Sequence, residues 1–390
     1  MSIQGNSARW NGGRVTVLTD FLSDFAGTER YTTTLCDILA TSGVTVEVFT
    51  AEPTHDRTWV NLLAARGITV NAPASTAATA ALWTGLNQHI AVCQPHVVLV
   101  NPMGEAFVQW LSSVPSTVPI PAVIGVEYSN PGPLSAHWYP PSLPCLIHHI
   151  DAVIVTCHAS WRGVTQHFGY RGPVYVVPHL IHPPQHLPMP SVPRHHVGLV
   201  ARLSVEKGID YALAAVALLR RDEAAVELSI YGAGPDADRL AELAACLGIR
   251  CEVHLRGTFH PVEELDETLA RHAVWIQPSL FESVPTSLLE LIARGRTVIA
   301  TNVGGVSEVF EGLPHAHDLL VPPADTRTLA DRIRSVLAHA DHYDRISEAL
   351  QERVRTRHAP QSVTPQLLDV LRRHGQRTAR RRQDSCTRWK

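Results

Sequence analysis

Short apolar runs of strand length alternate with longer amphipathic stretches along almost the whole chain, the pattern of parallel sheets wound by helices. In the first half these runs predict strands at Val15–Thr19, Val44–Thr50, Val97–Val100, Val123–Val126, Ala152–Val155 and Val174–Val177. In the second half they fall at Val197–Ala201, Val226–Tyr231, Glu252–Leu255, Ala273–Ile276, Thr297–Ala300 and Leu319–Val321. Helical stretches sit between them, among them Tyr211–Arg221, Asp236–Gly248 and Thr328–His339. The halves meet at HPPQHLPMPSVP, His182–Pro193, whose prolines continue neither a helix nor a central strand. The expected fold class is α/β, with two Rossmann-like doubly wound domains facing a central cleft, the usual place for a ligand. The expected organisation is an N-terminal domain over 1–182, a linker over 183–193, a C-terminal domain over 194–360, and a helix with a basic tail over 361–390.

Composition narrows the class. With 45% hydrophobic and 18% charged residues in 390, the chain reads as soluble and globular. Its longest apolar stretches are strand-sized, far below the ~18 residues of a membrane span. The opening MSIQGNSARWNGG lacks the basic patch and apolar core of a secretion signal. Seven scattered cysteines, odd in number and without a CxxC, suit a reducing cytoplasm and give no disulfide or metal framework.

Net charge is −3 but uneven: residues 1–190 carry seven Arg, no Lys and ten acids. The last twenty hold seven Arg and one Lys against one Asp. That tail reads as a solvated terminus rather than a nucleic-acid or lipid contact.

Chemistry concentrates where strands end. FESVPTSLLE follows the strand Ala273–Ile276 and opens a helix at Pro285, so Glu282, the amides of Thr286 and Ser287, and Glu290 gather at one strand end. Amides suit an anion, while Glu290 can accept both hydroxyls of a ribose and Glu282 those of a sugar. The chain has only two lysines, and one of them, Lys207, stands with Arg202 in ARLSVEKG after the first strand of the second half. There the two cations suit a diphosphate, although such a pair can also be merely solvated. In IYGAGPDADRL, Gly232 and Gly234 let backbone pass close to a ligand. Asp236 and Asp238 form a DxD that reads as helix-start acids rather than a metal site. NVGGVSE, Asn302–Glu308, repeats the strand–glycine–helix design. In the first half Gly27 marks a turn before a helix, with Thr28 as its cap, and Glu127 ends the strand AVIGVE.

ARLSVEKG, IYGAGP, LRGTF, IQPSLFESVPTSLLE and NVGGVSE occur in the order and spacing of retaining glycosyltransferases of family 4. Over Val197–Leu337 the chain resembles a GT-B enzyme of that group, and over 14–180 only in general form. The resemblance implies that Arg202 and Lys207 bind the diphosphate of a nucleoside diphosphate sugar, that Glu290 grips its ribose and that Glu282 contacts the transferred sugar. It implies that Gly27 lies near the diphosphate and that Arg256–Phe259, with Gly257, lies by the base; no metal or cofactor is expected. A UDP-sugar donor and a soluble, small, hydroxyl-bearing acceptor are expected, with membrane association disfavoured. Three departures stand out. Ala201 replaces a usual glycine, Ser283–Val284–Pro285 replace GlyPheGly, and Glu127 stands where the group often has a histidine. Glu127 thereby joins Glu282, Lys207 and Arg202 as a catalytic candidate. A nucleotide-sugar epimerase or hydrolase, or a binding protein without turnover, are the rival readings.

Overall fold

The computed structural model describes residues 9–22, 27–54, 57–182, 195–258 and 265–384; the linker 183–193 and the tail 385–390 lie outside the described residues. The chain divides into two compact units, Met1–Leu180 with Pro360–Lys390, and Ile181–Ala359.

The first unit is built on β1 (Arg14–Thr19), β2 (Thr45–Thr50), β3 (Thr69–Asn71), β4 (Val97–Val100), β5 (Ala122–Glu127), β6 (Ala152–Val155) and β7 (Val174–Val176). They form a seven-stranded parallel sheet in the order β3-β2-β1-β4-β5-β6-β7. A parallel sheet is covered on both faces, so its strands must be apolar at nearly every position. Alternate residues then serve opposite layers. Val97, Leu99, Ile124 and Ile154 join one core, and Val98, Val100, Val123 and Val155 the other.

The last helix, Pro360–Asp384, belongs to this unit although the chain reaches it through the second. Its Val363, Leu367, Leu368, Val370 and Leu371 are at most 3% exposed and complete the first of those cores. The Tyr175 hydroxyl also lies 3.2 Å from His374 Nε2.

The second unit carries β8 (His196–Val200), β9 (Glu227–Tyr231), β10 (Val253–Gly257), β11 (Val274–Gln277), β12 (Val298–Thr301) and β13 (Leu320–Val321). All are parallel, in the order β10-β9-β8-β11-β12-β13. The strand order reverses beside β8, and the loops after β8 and β11 flank that switch point, where open α/β sheets hold their ligands. Every strand expected from the sequence is present, with ends shifted by at most two residues. Only β3 gave no signal, being three residues long and partly exposed at the sheet edge.

Candidate active site

Past the end of β8 the chain stays bound to the neighbouring loop. Ala201 N donates to Tyr231 O at 3.0 Å, Leu203 N to Ala233 O at 3.0 Å, and Asp236 N to Leu203 O at 3.1 Å. So close an approach needs glycine opposite. A Cβ on Gly232 (φ +142°) would lie 1.9 Å from Ala201 O, and one on Gly234 2.3 Å from Leu203 O. The space a side chain would fill at these two glycines holds the Ala201–Leu203 backbone. Gly257 adjoins them, its carbonyl accepting from Gly232 N at 2.8 Å. Arg202, at the centre of this ladder, is exposed and makes no ion pair among the described residues.

A short 3-10 turn, Val205–Lys207, follows, closed by Gly208 in the left-handed region at φ +62°. Gly208 is also pressed against the next loop, where a Cβ would meet Pro278 O at 2.1 Å. Leu280 N donates to Glu206 O at 2.8 Å, tying the loops after β8 and β11 together. This brings Lys207 to Glu282, 75 residues on: Nζ to Oε1 is 2.7 Å, with side chains 21% and 10% exposed. Ser279 Oγ donates to the same oxygen at 2.9 Å. The Ser279 carbonyl is in turn held by the buried Thr301 hydroxyl at the end of β12.

The helix after β11 runs Thr286–Ala293, and Pro285 is its extended N-cap (ψ 131°) rather than its first residue. The amides of Thr286 and Ser287 therefore precede the first intrahelical bond, made by Leu289 N to Pro285 O. Leu288, Leu289, Leu291 and Ile292 are buried, leaving Thr286, Ser287 and Glu290 on one partly exposed face. Gln277, at the end of β11, donates from Nε2 to Ser287 Oγ at 3.2 Å and anchors that face to the strand. Gly305 N donates to Ser283 O at 3.0 Å, so the NVGGVSE turn braces the loop from its other side. Asp236 is engaged by Arg239 at 3.1 Å, together with Asp210.

The remaining candidates lie in the first unit. The helix Gly27–Thr41 already contains both Gly27 and Thr28, so Thr28 stands inside that helix and not at its cap. Glu127, at the end of β5, is 1% exposed. Its Oε1 accepts from Ser129 N at 2.8 Å and Ser129 Oγ at 2.6 Å, while Oε2 is buried with no donor assigned among the described residues. Burial pushes this carboxyl above its ordinary range, against the hydrogen bonds from Ser129 and Tyr139 that lower it. Asp20, at the end of β1, was not singled out in the sequence, although VLTD places an acid at a strand's carboxyl end. Its Oδ1 accepts from Ala106 N at 2.7 Å. Burial, with the charges of Glu105 and Glu52, pushes its carboxyl up to about 6. Phe259, expected beside a base, lies outside the described residues.

Two parallel-sheet α/β units of this topology are the GT-B fold of glycosyltransferases, and solved structures bear this out. An Anabaena protein, HepE, crystallised with UDP and glucose, superposes with a TM-score of 0.76 over 93% of this chain and 100% of its own, at 18% identity. Sucrose-phosphate synthase from Thermosynechococcus elongatus gives 0.74 over 93% and 98%, also at 18% identity. Residues 194–339 match the family model "Glycosyl transferases group 1". Similar curated proteins agree with that match. Alpha-D-kanosaminyltransferase of Streptomyces kanamyceticus is 26% identical over 176 residues, 45% of each chain. An exopolysaccharide phosphotransferase of Streptomyces coelicolor is 31% identical over 191 residues, 48% of this chain and 20% of that protein. The colanic acid biosynthesis glycosyltransferase WcaL of Escherichia coli is 31% identical over 38% of this chain and 37% of its own. The chain thus spans from a fifth to less than half of the length of these relatives. No described helix is long and apolar enough to cross a membrane.

Proposed function

We propose that the protein is a retaining glycosyltransferase of family 4 that moves a sugar from a UDP-sugar to a hydroxyl of a small acceptor. The observation that carries this reading is the Lys207–Glu282 contact at the β8–β11 switch point, with the Thr286–Ala293 helix opening from the same loop. In the reaction the bond from C1 to the diphosphate oxygen breaks and a bond from C1 to the acceptor oxygen forms. The acceptor's proton passes to the departing diphosphate. Negative charge grows on that leaving group, so stabilising it is the largest contribution asked of the protein.

Lys207 and Arg202 carry this charge, with the amides of Thr286 and Ser287 as further donors. Glu290, on the same helix face as those residues, takes the ribose hydroxyls. Glu282, fixed by Lys207 and Ser279, accepts from hydroxyls of the transferred sugar. Gly27 and Glu127 are assigned to the first unit's share of the reaction, and no carboxylate is assigned as a covalent nucleophile. Uridine is favoured because the fold neighbour HepE was crystallised with UDP, and a cytoplasmic location fits the thiol usage.

The test is thermal stabilisation by a panel of nucleoside diphosphates and their sugars, followed by product analysis with and without acceptor. Stabilisation by UDP and acceptor-dependent transfer with unchanged anomeric configuration are expected. Donor consumption that is indifferent to acceptor would establish a hydrolase or epimerase instead.

A further inference from the structure

The carboxyl ends of β1, β4 and β5 hold more acceptors than donors. Glu127 Oε2 and Asn101 Oδ1 are buried atoms with no hydrogen-bond donor among the described residues. Their residues are 1% and 0% exposed. Each is committed on its other side. Glu127 Oε1 is taken by Ser129, and Asn101 Nδ2 donates to Thr32 Oγ1 at 2.8 Å. The strands that carry them are neighbours, Val100 pairing with Gly125, and Asn101 N bonds to Leu18 O of β1. Asp20 closes the row at the end of β1, and Glu29, 0% exposed, enters from the next helix. All three carboxylates act electrostatically on the buried Tyr128 hydroxyl. Neither Asp20 nor Glu127 makes an ion pair with a described residue. Around them stand Tyr128 and Tyr31, ring centroids 5.3 Å apart, and Tyr139, hydrogen-bonded to Ser129 and to the Glu127 carboxyl. Asp20, Tyr128, Ser129 and Tyr139 are partly exposed.

We propose that this cluster binds an ammonium group, so that the acceptor is an amine-bearing polyol. The inference rests on the acceptor half of the transferase reading and deepens it. Sugar hydroxyls alone would supply the missing donors but not the positive charge that favours the ionised carboxylates of Glu127 and Asp20. An ammonium supplies three donors and the opposite charge together, and tyrosine faces attract it further.

Glucosamine, N-acetylglucosamine and glucose differ only at one substituent and serve as probes, read by calorimetry at a pH where the amine is charged. Glucosamine should bind at least about tenfold more tightly than the other two, the scale of a charge-assisted hydrogen bond. Glu127→Gln keeps the shape and removes the charge, and should abolish that preference while UDP affinity stays unchanged. Asp20→Asn provides a second variant should Glu127→Gln fold poorly, with circular dichroism checking both. Equal binding of the three sugars, absence of binding by all three, or a preference that survives both substitutions would overturn the proposal. A retained glucosamine preference in a protein that ignores UDP would instead sink the donor reading and leave this one standing.

Discussion

Replacing Lys207 with methionine keeps the length of the side chain and deletes its charge. At 2.7 Å, and with an effective dielectric of about 20, the attraction to Glu282 is about 6 kcal/mol before dehydration of both groups is counted. Most of that is offset by dehydration, so the useful quantity is the cost of stranding Glu282, itself 8% exposed, without its cation. That cost is about 3 kcal/mol, at the low end for a broken buried pair because a fifth of the Lys207 side chain remains in water. Spread over a unit of this size it lowers the melting temperature by about 6–12 °C.

Turnover should fall about 100- to 1,000-fold, the cost of one lost donor to a developing anion. Stability and chemistry are then separable. Adding Glu282→Gln removes the stranded charge and should restore most of the melting temperature without restoring turnover. Initial rates of UDP release, beside thermal melts of the wild type, both single variants and the double variant, give the full cycle. The reasoning is refuted if folded Lys207→Met turns over like wild type, or if the double variant regains rate together with stability.

Glu290→Gln should raise the donor KM about tenfold, near 1.4 kcal/mol, with little change in kcat, because the ribose is gripped alike before and during reaction. An unchanged KM removes Glu290 from the donor site. For Asp20 the folded carboxyl, near 6, lies above its ordinary 3.8, so the unit holds the proton more tightly when folded. Stability is therefore free of penalty below that ordinary value and falls as pH rises through 6. Asp20→Asn, which can still accept from Ala106 N, should melt higher than wild type at pH 7, by about 1–3 kcal/mol, with the gap closing near pH 4. A constant or reversed gap refutes it. Truncation before Pro360 strips five buried apolar residues from the first unit. At about 1.5–3 kcal/mol each the loss rivals a domain's whole stability, so the first unit's melting transition should vanish. A truncated chain that keeps the transition would count against this packing.

Strand positions were legible because a parallel strand buried on both faces must be an unbroken apolar run, as Val97–Val100 and Ala152–Val155 are. β3 was not, since a short, partly exposed edge strand needs no such run. Residue types at the site were legible too. A lone lysine after one strand and a glutamate before a helix after another suggested an anion and hydroxyls. The steric need for Gly232 and Gly234 was not, because nothing local says that the Ala201–Leu203 backbone will occupy the space a side chain would fill.

By itself, then, the sequence determined two α/β units, their strand order along the chain and the chemical inventory at the strand ends. Those follow from local pattern, which each segment carries alone. Only the tertiary structure decided that Lys207 would meet Glu282, that the last helix would return to the first unit, and that Glu127 and Asn101 would be buried with acceptors to spare. Each of these depends on which surfaces lie side by side once the sheets have formed. The apolar face of Val363, Leu367 and Leu371 suits any greasy layer until the fold offers it one.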